Sequence, residues 1–217
     1  MEVLSNAAMA EKARAFDQVA ESVFAPIYPV IASRLLDLAG VRQGQCLDIG
    51  CGGGHLGLAV AKDFMGTVIL LDVNPHALAI AARRIPWEAQ GRINVLQGDV
   101  HAMPLEEASV DLALSRGAMW FWEKEASLKE IWRILAPGGV AVLGGGYGSA
   151  PLKQAIYQTM SVRNHEDFGE QQEKRMQGAA PEDYAQVMER LGIGIPTCIH
   201  EESGDWLLFR KPGTVRT

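Results

Sequence analysis

Residues 46–57 read Cys-Leu-Asp-Ile-Gly-Cys-Gly-Gly-Gly-His-Leu-Gly, and the chemistry of this chain is concentrated around them. Leu47 and Ile49 alternate with Asp48 as in a short buried strand, glycines crowd the turn that follows, and Leu56, Val60 and Phe64 then recur at helical spacing. A strand, a glycine turn and a helix start leave backbone N–H groups with no side chains in front of them. The helix N-terminus adds partial positive charge, so the turn suits a negative group on a nucleotide-like ligand. Two further carboxylates fit such a ligand. Asp72 closes the apolar run 67–72, and its two oxygens match the two adjacent hydroxyl donors of a ribose. Asp99, in Gly98-Asp99-Val100, is suited to accept from an adenine amino group while the Val100 N–H donates to a ring nitrogen, with Val73 and Val100 on either side of the base.

The glycines permit two readings. Gly52, Gly54 and Gly57 satisfy the G-x-G-x-x-G of dinucleotide-binding dehydrogenases, and Asp72 stands at the interval those enzymes use for the ribose. Alternatively, Asp48 precedes Gly50-x-Gly52-x-Gly54 by two places, the form found in binders of S-adenosylmethionine.

The elements that must position these groups follow from the apolar pattern. Phe16, Val19, Ala20 and Val23 form one helical stripe and Ile31, Leu35, Leu38 and Ala39 a second, with Pro26 and Pro29 expected to separate the helices and Gly40 to close the second. Strands are predicted at 67–72, 92–97, 110–115 and 140–143. Asn74-Pro75 starts a helix with Leu78, Ala82 and Ile85 buried, and a further helix carries Leu128, Ile131, Trp132 and Leu135. Pro137-Gly138-Gly139 turns the chain into the 140–143 strand. Helices are expected near Pro151 and at Pro181, the latter with Tyr184, Val187, Met188 and Leu191 on one face and Gly192 as its stop. Two strand candidates, near 194–200 and 205–210, close the chain as a hairpin. Alternating strands and helices imply a parallel sheet covered on both faces, with ligands beyond the carboxyl ends of the strands. Asp48, Asp72, Asp99 and Ser115-Arg116 all fall at that edge.

Composition narrows the function. Twenty-six acidic against twenty basic residues give a net charge of −6 with no dense basic stripe, which disfavours nucleic acid and favours a small-molecule partner. The longest apolar runs are too short to cross a bilayer, and residues 1–20 carry charges where a signal peptide has its apolar stretch. Three cysteines, 46, 51 and 198, argue against a disulfide framework and for a reducing cytoplasm. A metal centre from Cys51, His55 and His101, or from Cys198 and His200, is a weaker idea because no metal-binding motif spacing is present, and none is expected.

With these residues in view, the chain resembles a class I S-adenosylmethionine-dependent methyltransferase, of the small-molecule branch typified by ubiquinone and menaquinone biosynthesis enzymes. The matching pieces are Leu47-Asp48-Ile49-Gly50-Cys51-Gly52-Gly53-Gly54, Leu71-Asp72-Val73-Asn74, Gly98-Asp99-Val100 with His101-Ala102-Met103-Pro104-Leu105, Val110-Asp111-Leu112-Ala113-Leu114-Ser115 and Ile134-Leu135-Ala136-Pro137-Gly138-Gly139. One departure is Gly53, where relatives often carry Thr, Ser or Pro. The resemblance implies an α/β fold: a Rossmann-like, doubly wound seven-stranded sheet, mostly parallel with a C-terminal antiparallel hairpin strand, plus N-terminal helices. It implies a single domain over 1–217, with a helical cap at 1–44, a cofactor core at 45–145, acceptor-side helices at 149–191 and a terminal hairpin at 194–211.

The resemblance also implies roles. Gly50, Cys51, Gly52 and Gly54 line the loop near the methionyl part of the cofactor, Asp48 holds the loop or the amino group, Asp72 takes the ribose, and Asp99 with Val73 and Val100 takes the adenine. Ser115 and Arg116 lie near the methionyl end, where Arg116 pairs with its carboxylate or makes a structural salt bridge, and Tyr28 covers the cofactor. His101 is the one candidate for a catalytic general base. Trp120-Phe121-Trp122 and the mixed segment 149–180, with Tyr157, His165 and Phe168, fall where an acceptor would sit. The expected activity is methyl transfer to a small-molecule acceptor by a cytoplasmic monomer or homodimer with no membrane partner. A NAD-dependent oxidoreductase and a regulatory S-adenosylmethionine-binding module without transfer activity are the alternatives.

Overall fold

The computed structural model describes residues 5–213; the ends of the expected 1–217 domain, residues 1–4 and 214–217, lie outside the described residues. Seven strands form one sheet in the order β3-β2-β1-β4-β5-β7-β6. They are β1 (Gln43–Ile49), β2 (Met65–Asp72), β3 (Ile93–Gln97), β4 (Val110–Arg116), β5 (Leu135–Gly146), β6 (Thr197–Glu201) and β7 (Gly204–Arg210). The first five run parallel, and β7 pairs antiparallel with both β5 and β6. This is the expected seven-stranded architecture, with the strand order reversing between β1 and β4. Asp48 lies beside Leu70 on one side and Leu114 on the other, so β1, β2 and β4 end level.

Helices cover both faces: α1 (Asn6–Val19), α2 (Ile27–Ala39), α3 (His55–Val60), α4 (Pro75–Arg84), α5 (Lys124–Ile134), α6 (Ala150–Asn164), α7 (Phe168–Met176) and α8 (Pro181–Leu191). Alternate strand residues point to opposite faces. Val68 and Leu70 of β2 therefore join α2, α3 and α6 in one core, with Leu35, Val60, Ile156 and Trp206. Ile69 and Leu71 join α5 and α8 in the other, with Leu128, Ile131, Tyr184 and Phe209.

Several local expectations are corrected. Pro29 does not separate helices but sits in the first turn of α2, where an N–H has no intrahelical acceptor to lose. The break falls at residues 25–26, after a π-helical turn at Ala20–Phe24, and the axis bends there by 87°. Only Ala13 of α1 is buried, and Phe16 is 55% exposed, because α1 packs on α4 rather than on the sheet. In α4 the buried stripe is Ala77, Leu78 and Ala81, and Ala82 faces solvent. α3 ends at Val60, short of Phe64, and α7 was not foreseen in the polar stretch after residue 149. β5 is assigned from Leu135 rather than 140, with the Pro137-Gly138-Gly139 turn forming an irregularity between Val110 and Leu112 on its partner. Gly40, at φ +64°, closes α2 as expected. No single helix among the described residues is long and apolar enough to cross a membrane.

Two of the three glycines ending β5 lie against Trp206, and the middle one, Gly145, lies against Trp120. A Cβ on Gly144 would lie 2.9 Å from Trp206 and one on Gly146 2.5 Å from its ring. Trp206 is 2% exposed and fills the space they leave. Replacing Trp206 with Ala is expected to remove about 3–5 kcal/mol of stability through the cavity it leaves, measurable by equilibrium urea unfolding.

Candidate functional site

The carboxyl ends of β1, β2 and β4 meet the glycine loop at one edge of the sheet. A buried carboxylate, Asp48, and a half-buried one, Asp72, shape that loop from behind. Asp48, 2% exposed, accepts the Gly57 N–H of α3 through Oδ2 at 2.8 Å. Asp72 accepts the Gly52 N–H through Oδ2 at 2.8 Å and the Asn74 N–H through Oδ1 at 2.8 Å. The loop is also pinned to β2 by backbone bonds from Gly50 and Cys51 to the Leu71 carbonyl. Asp48 therefore ties the first turn of α3 to β1. Asp72 reaches the loop as well as the strand end, and an ionised carboxylate with about four acceptor positions still has room for further donors.

Burial, with the nearby Asp72 charge adding to it and the Gly57 bond opposing it, pushes the Asp48 carboxyl up to about 7. Burial also raises Asp72, against the bonds it accepts from Asn74, Gly52 and Val73. The Cys51 thiol is pushed well up by burial and by these two carboxylates, so Cys51 is a small uncharged filler of the turn, with Sγ 3.5 Å from the Gly52 carbonyl oxygen.

On the adenine side, Val73 is 59% exposed and available to a ligand, whereas Val100 is buried in the α5–α8 core. The expected pairing of their side chains about a base is thus not present, because the Val100 side chain turns inward. Asp99 is half exposed and is held below its ordinary value by the His101 backbone N–H, with the His101 ring adding to the effect. His101 Nδ1 lies 2.5 Å from Asp99, and its Nε2 accepts the Glu123 N–H at 2.9 Å. That pattern requires the tautomer protonated at Nδ1 and leaves no ring lone pair unengaged. His101 ties the turn after β3 to the start of α5.

At β4 the two neighbours part. Ser115 is fully buried and its hydroxyl donates to the Ile49 carbonyl at 2.8 Å, so it joins β4 to β1 rather than facing a ligand. Arg116 points to the face shared with Asp48 and Asp72. Tyr28 stacks on His55 beside the loop, with ring centroids 5.0 Å apart, and is itself 9% exposed. Of the three aromatics after β4, Trp120 stands over Gly117 and Gly145, Trp122 packs on the α5–α8 core, and Phe121 is largely exposed.

A cluster that the sequence did not announce covers the loop from outside. Asp17 of α1 takes both guanidinium nitrogens of Arg84, at 2.6 and 2.9 Å, and faces His55 Nε2 at 3.0 Å. Burial works against the Asp17 charge, but the bonds from Arg84 and His55 outweigh it and hold its carboxyl below the ordinary value. Arg84 also donates to the Gly53 carbonyl at 3.2 Å. Farther along α1, the Asn74 amide donates to the Met9 carbonyl, His76 meets Asn6, and Lys12 lies over the Phe121 ring. A Cβ on Gly53 would come within 2.1 Å of Asp17 Oδ1. The absent side chain at Gly53 was the one available signal that something lies on this loop.

Cys51, His55 and His101 go to different partners, and Cys198 and His200 stand on β6 at the far edge of the sheet. His200 lies between Glu182 at 2.7 Å and Asp205 at 2.9 Å. No group of three or more potential metal ligands occurs among the described residues.

Residues 47–143 match the family model described as a methyltransferase domain. A solved structure from Methanococcus maripaludis, named a candidate S-adenosyl-L-methionine-dependent methyltransferase, is 32% identical, covers 100% of this chain and 99% of its own, and superposes with a TM-score of 0.89. Among curated proteins, the demethylmenaquinone methyltransferase of Lactococcus lactis is 35% identical over 57% of this chain and 50% of its own length. The malonyl-[acyl-carrier protein] O-methyltransferase of Yersinia pestis is 32% identical over 72% and 58%. The matched part takes in 30–58% of the curated relatives' lengths. Neither the NAD-dependent nor the regulatory alternative draws support from these matches.

The Asp48 proton gives a pH signature. The folded protein keeps this proton up to about 7, while the unfolded chain releases it near 3.8, so the group's stabilising contribution is complete below 3.8 and is lost as pH rises toward 7. Asp48→Asn retains an oxygen for Gly57 and removes the titration. Urea unfolding across that window is expected to show the wild type losing stability relative to the variant as pH increases.

Proposed function

Because this chain belongs to the S-adenosyl-L-methionine-dependent methyltransferase family, we propose that it transfers a methyl group from S-adenosylmethionine to a small-molecule acceptor. The observation that carries this reading is the convergence of Asp48 and Asp72 on one face at the edge where the strand order reverses, around the glycine loop they hold. The residues present fit the cofactor. The loop of Gly50, Cys51, Gly52 and Gly54 adjoins its methionyl part, with Gly50, Gly52 and Gly54 at positive φ so that the backbone approaches closely. Asp72 takes the ribose hydroxyls on its remaining acceptor positions. Asp99 takes the adenine amino group, the Val100 backbone adjoins the ring, and exposed Val73 packs on it. Asp48 and Ser115 position the loop and the strand ends from within, and Tyr28 forms a wall.

When bound, S-adenosylmethionine supplies an electrophilic methyl on a sulfonium whose leaving group is neutral. The protein's task is accordingly alignment and exclusion of water. α1 serves the second purpose, since it lies along α4 from His76 to Arg84 and reaches the loops at Asn74 and Gly53. His101 is retained from the sequence as the one candidate base, but in that role it must release the Glu123 N–H, so its main contribution is to orient the turn that carries Asp99. The whole chain is read as one methyltransferase domain, acting in the cytoplasm as a monomer or homodimer on an acceptor that is neither nucleic acid nor membrane.

Two measurements test this. Isothermal titration of S-adenosylhomocysteine should show tight binding to the wild type and a loss of about 2 kcal/mol or more in Asp72→Ala, because ribose donors lose a charged acceptor. Undiminished affinity in that variant, or NAD binding in place of the nucleoside, would contradict the assignment. Once an acceptor is in hand, His101→Ala should retain turnover within about tenfold, less than the loss of a general base brings; a larger fall with unchanged cofactor affinity would restore His101 as the base.

A further inference from the structure

Arg116 is in an unusual setting. Its guanidinium lies over the Phe24 ring at 5.0 Å, Tyr147 at 5.4 Å and Tyr28 at 6.0 Å, and its Nε donates to the Gly146 carbonyl at 3.0 Å. No carboxylate among the described residues forms an ion pair with it, and its two Nη nitrogens have no protein acceptor. Nor are those nitrogens sealed away, since no buried side-chain nitrogen or oxygen is left without a partner. Aromatic faces hold a guanidinium by its planes, and the Nε bond fixes its rotation. What remains is the planar Nη edge, a two-pronged donor shaped for a carboxylate.

The walls of this box come from the turn before α2, from α2 itself and from the residue after β5. Tyr147 continues edge-on to Tyr157 of α6 at 5.3 Å, and Tyr157 to Phe168 of α7 at 5.4 Å. All five aromatics lie outside residues 47–143, the stretch shared with methyltransferase domains in general. Arg116 itself lies within that stretch, and the rings that cage it are contributed from outside it.

We propose that Arg116, caged by Phe24, Tyr28 and Tyr147, binds the carboxylate of the methyl acceptor, which makes the acceptor an organic acid with an apolar body. This rests on the methyltransferase reading above. The methionyl carboxylate of the cofactor offers the same chemistry, and the test separates the two sources.

Benzoate, phenylacetate and hexanoate, each beside its primary amide, are titrated calorimetrically into wild-type protein saturated with S-adenosylhomocysteine. At least one acid is expected to bind about tenfold or more tightly than its amide. Arg116→Gln should abolish that preference, Arg116→Lys should restore part of it, and both variants should hold S-adenosylhomocysteine within about threefold of wild type, since lysine keeps the charge but not the fork. Acid and amide binding alike to the wild type, or no acid binding, overturns the proposal while nucleoside binding keeps the methyltransferase reading. A fall in S-adenosylhomocysteine affinity of about tenfold in Arg116→Gln, recovered in Arg116→Lys, assigns the guanidinium to the cofactor and overturns it as well. A wild type that binds no S-adenosylhomocysteine overturns both.

Discussion

Everything at the strand-end edge depends on two carboxylates, Asp48 buried and Asp72 half-buried, pulling backbone N–H groups inward. Asp48 draws the start of α3 onto β1, and Asp72 draws Gly52 and Asn74 onto the end of β2. A glycine-rich turn has large conformational freedom to lose and no side chains to anchor it. Carboxyl oxygens taking backbone donors can hold it, most strongly where the group is ionised. The arrangement has an electrostatic cost, since both acids are raised by burial and Asp48 also by its neighbour. An edge carrying this much negative charge is prepared for hydroxyl and amino donors and for a cationic centre.

The charge layout divides the edge in two. Carboxylates stand on the β1–β2–β3 side, while the cation of Arg116 stands on the β4–β5 side among aromatic rings. A ligand whose one end is a polyol and base, and whose other end meets a second molecule, matches such a division. The first half lies within the stretch that the methyltransferase domains share, and most of the second half lies outside it.

α1 adds a layer that the sheet does not require. With one buried residue it contributes little to the core, and its fixed points are polar: Asp17 with Arg84 and His55, Met9 with Asn74, Asn6 with His76. Ion pairs and hydrogen bonds of this kind are individually modest and open locally at lower free energy than a packed core.

The sequence by itself determined the sheet and the place of the site, because both are written in local patterns. Apolar runs ending in Asp48, Asp72 and Ser115-Arg116 gave the strands and the edge, and Asn74-Pro75, Gly40 and Gly192 gave helix ends through backbone preferences that act over a few residues. It misjudged Pro29, Phe16 and Ala82, where periodicity marks a stripe but not which neighbour the stripe meets. Only the tertiary structure decided what each site residue does with its polar atoms. Ser115 bonds inward to Ile49, Val100 turns into the core, His101 has both nitrogens engaged, and Arg116 is left unpaired in an aromatic box. Those outcomes depend on partners dozens of residues away, such as Asp17 beside Gly53, and no local pattern encodes which distant group will occupy a given hydrogen-bonding position.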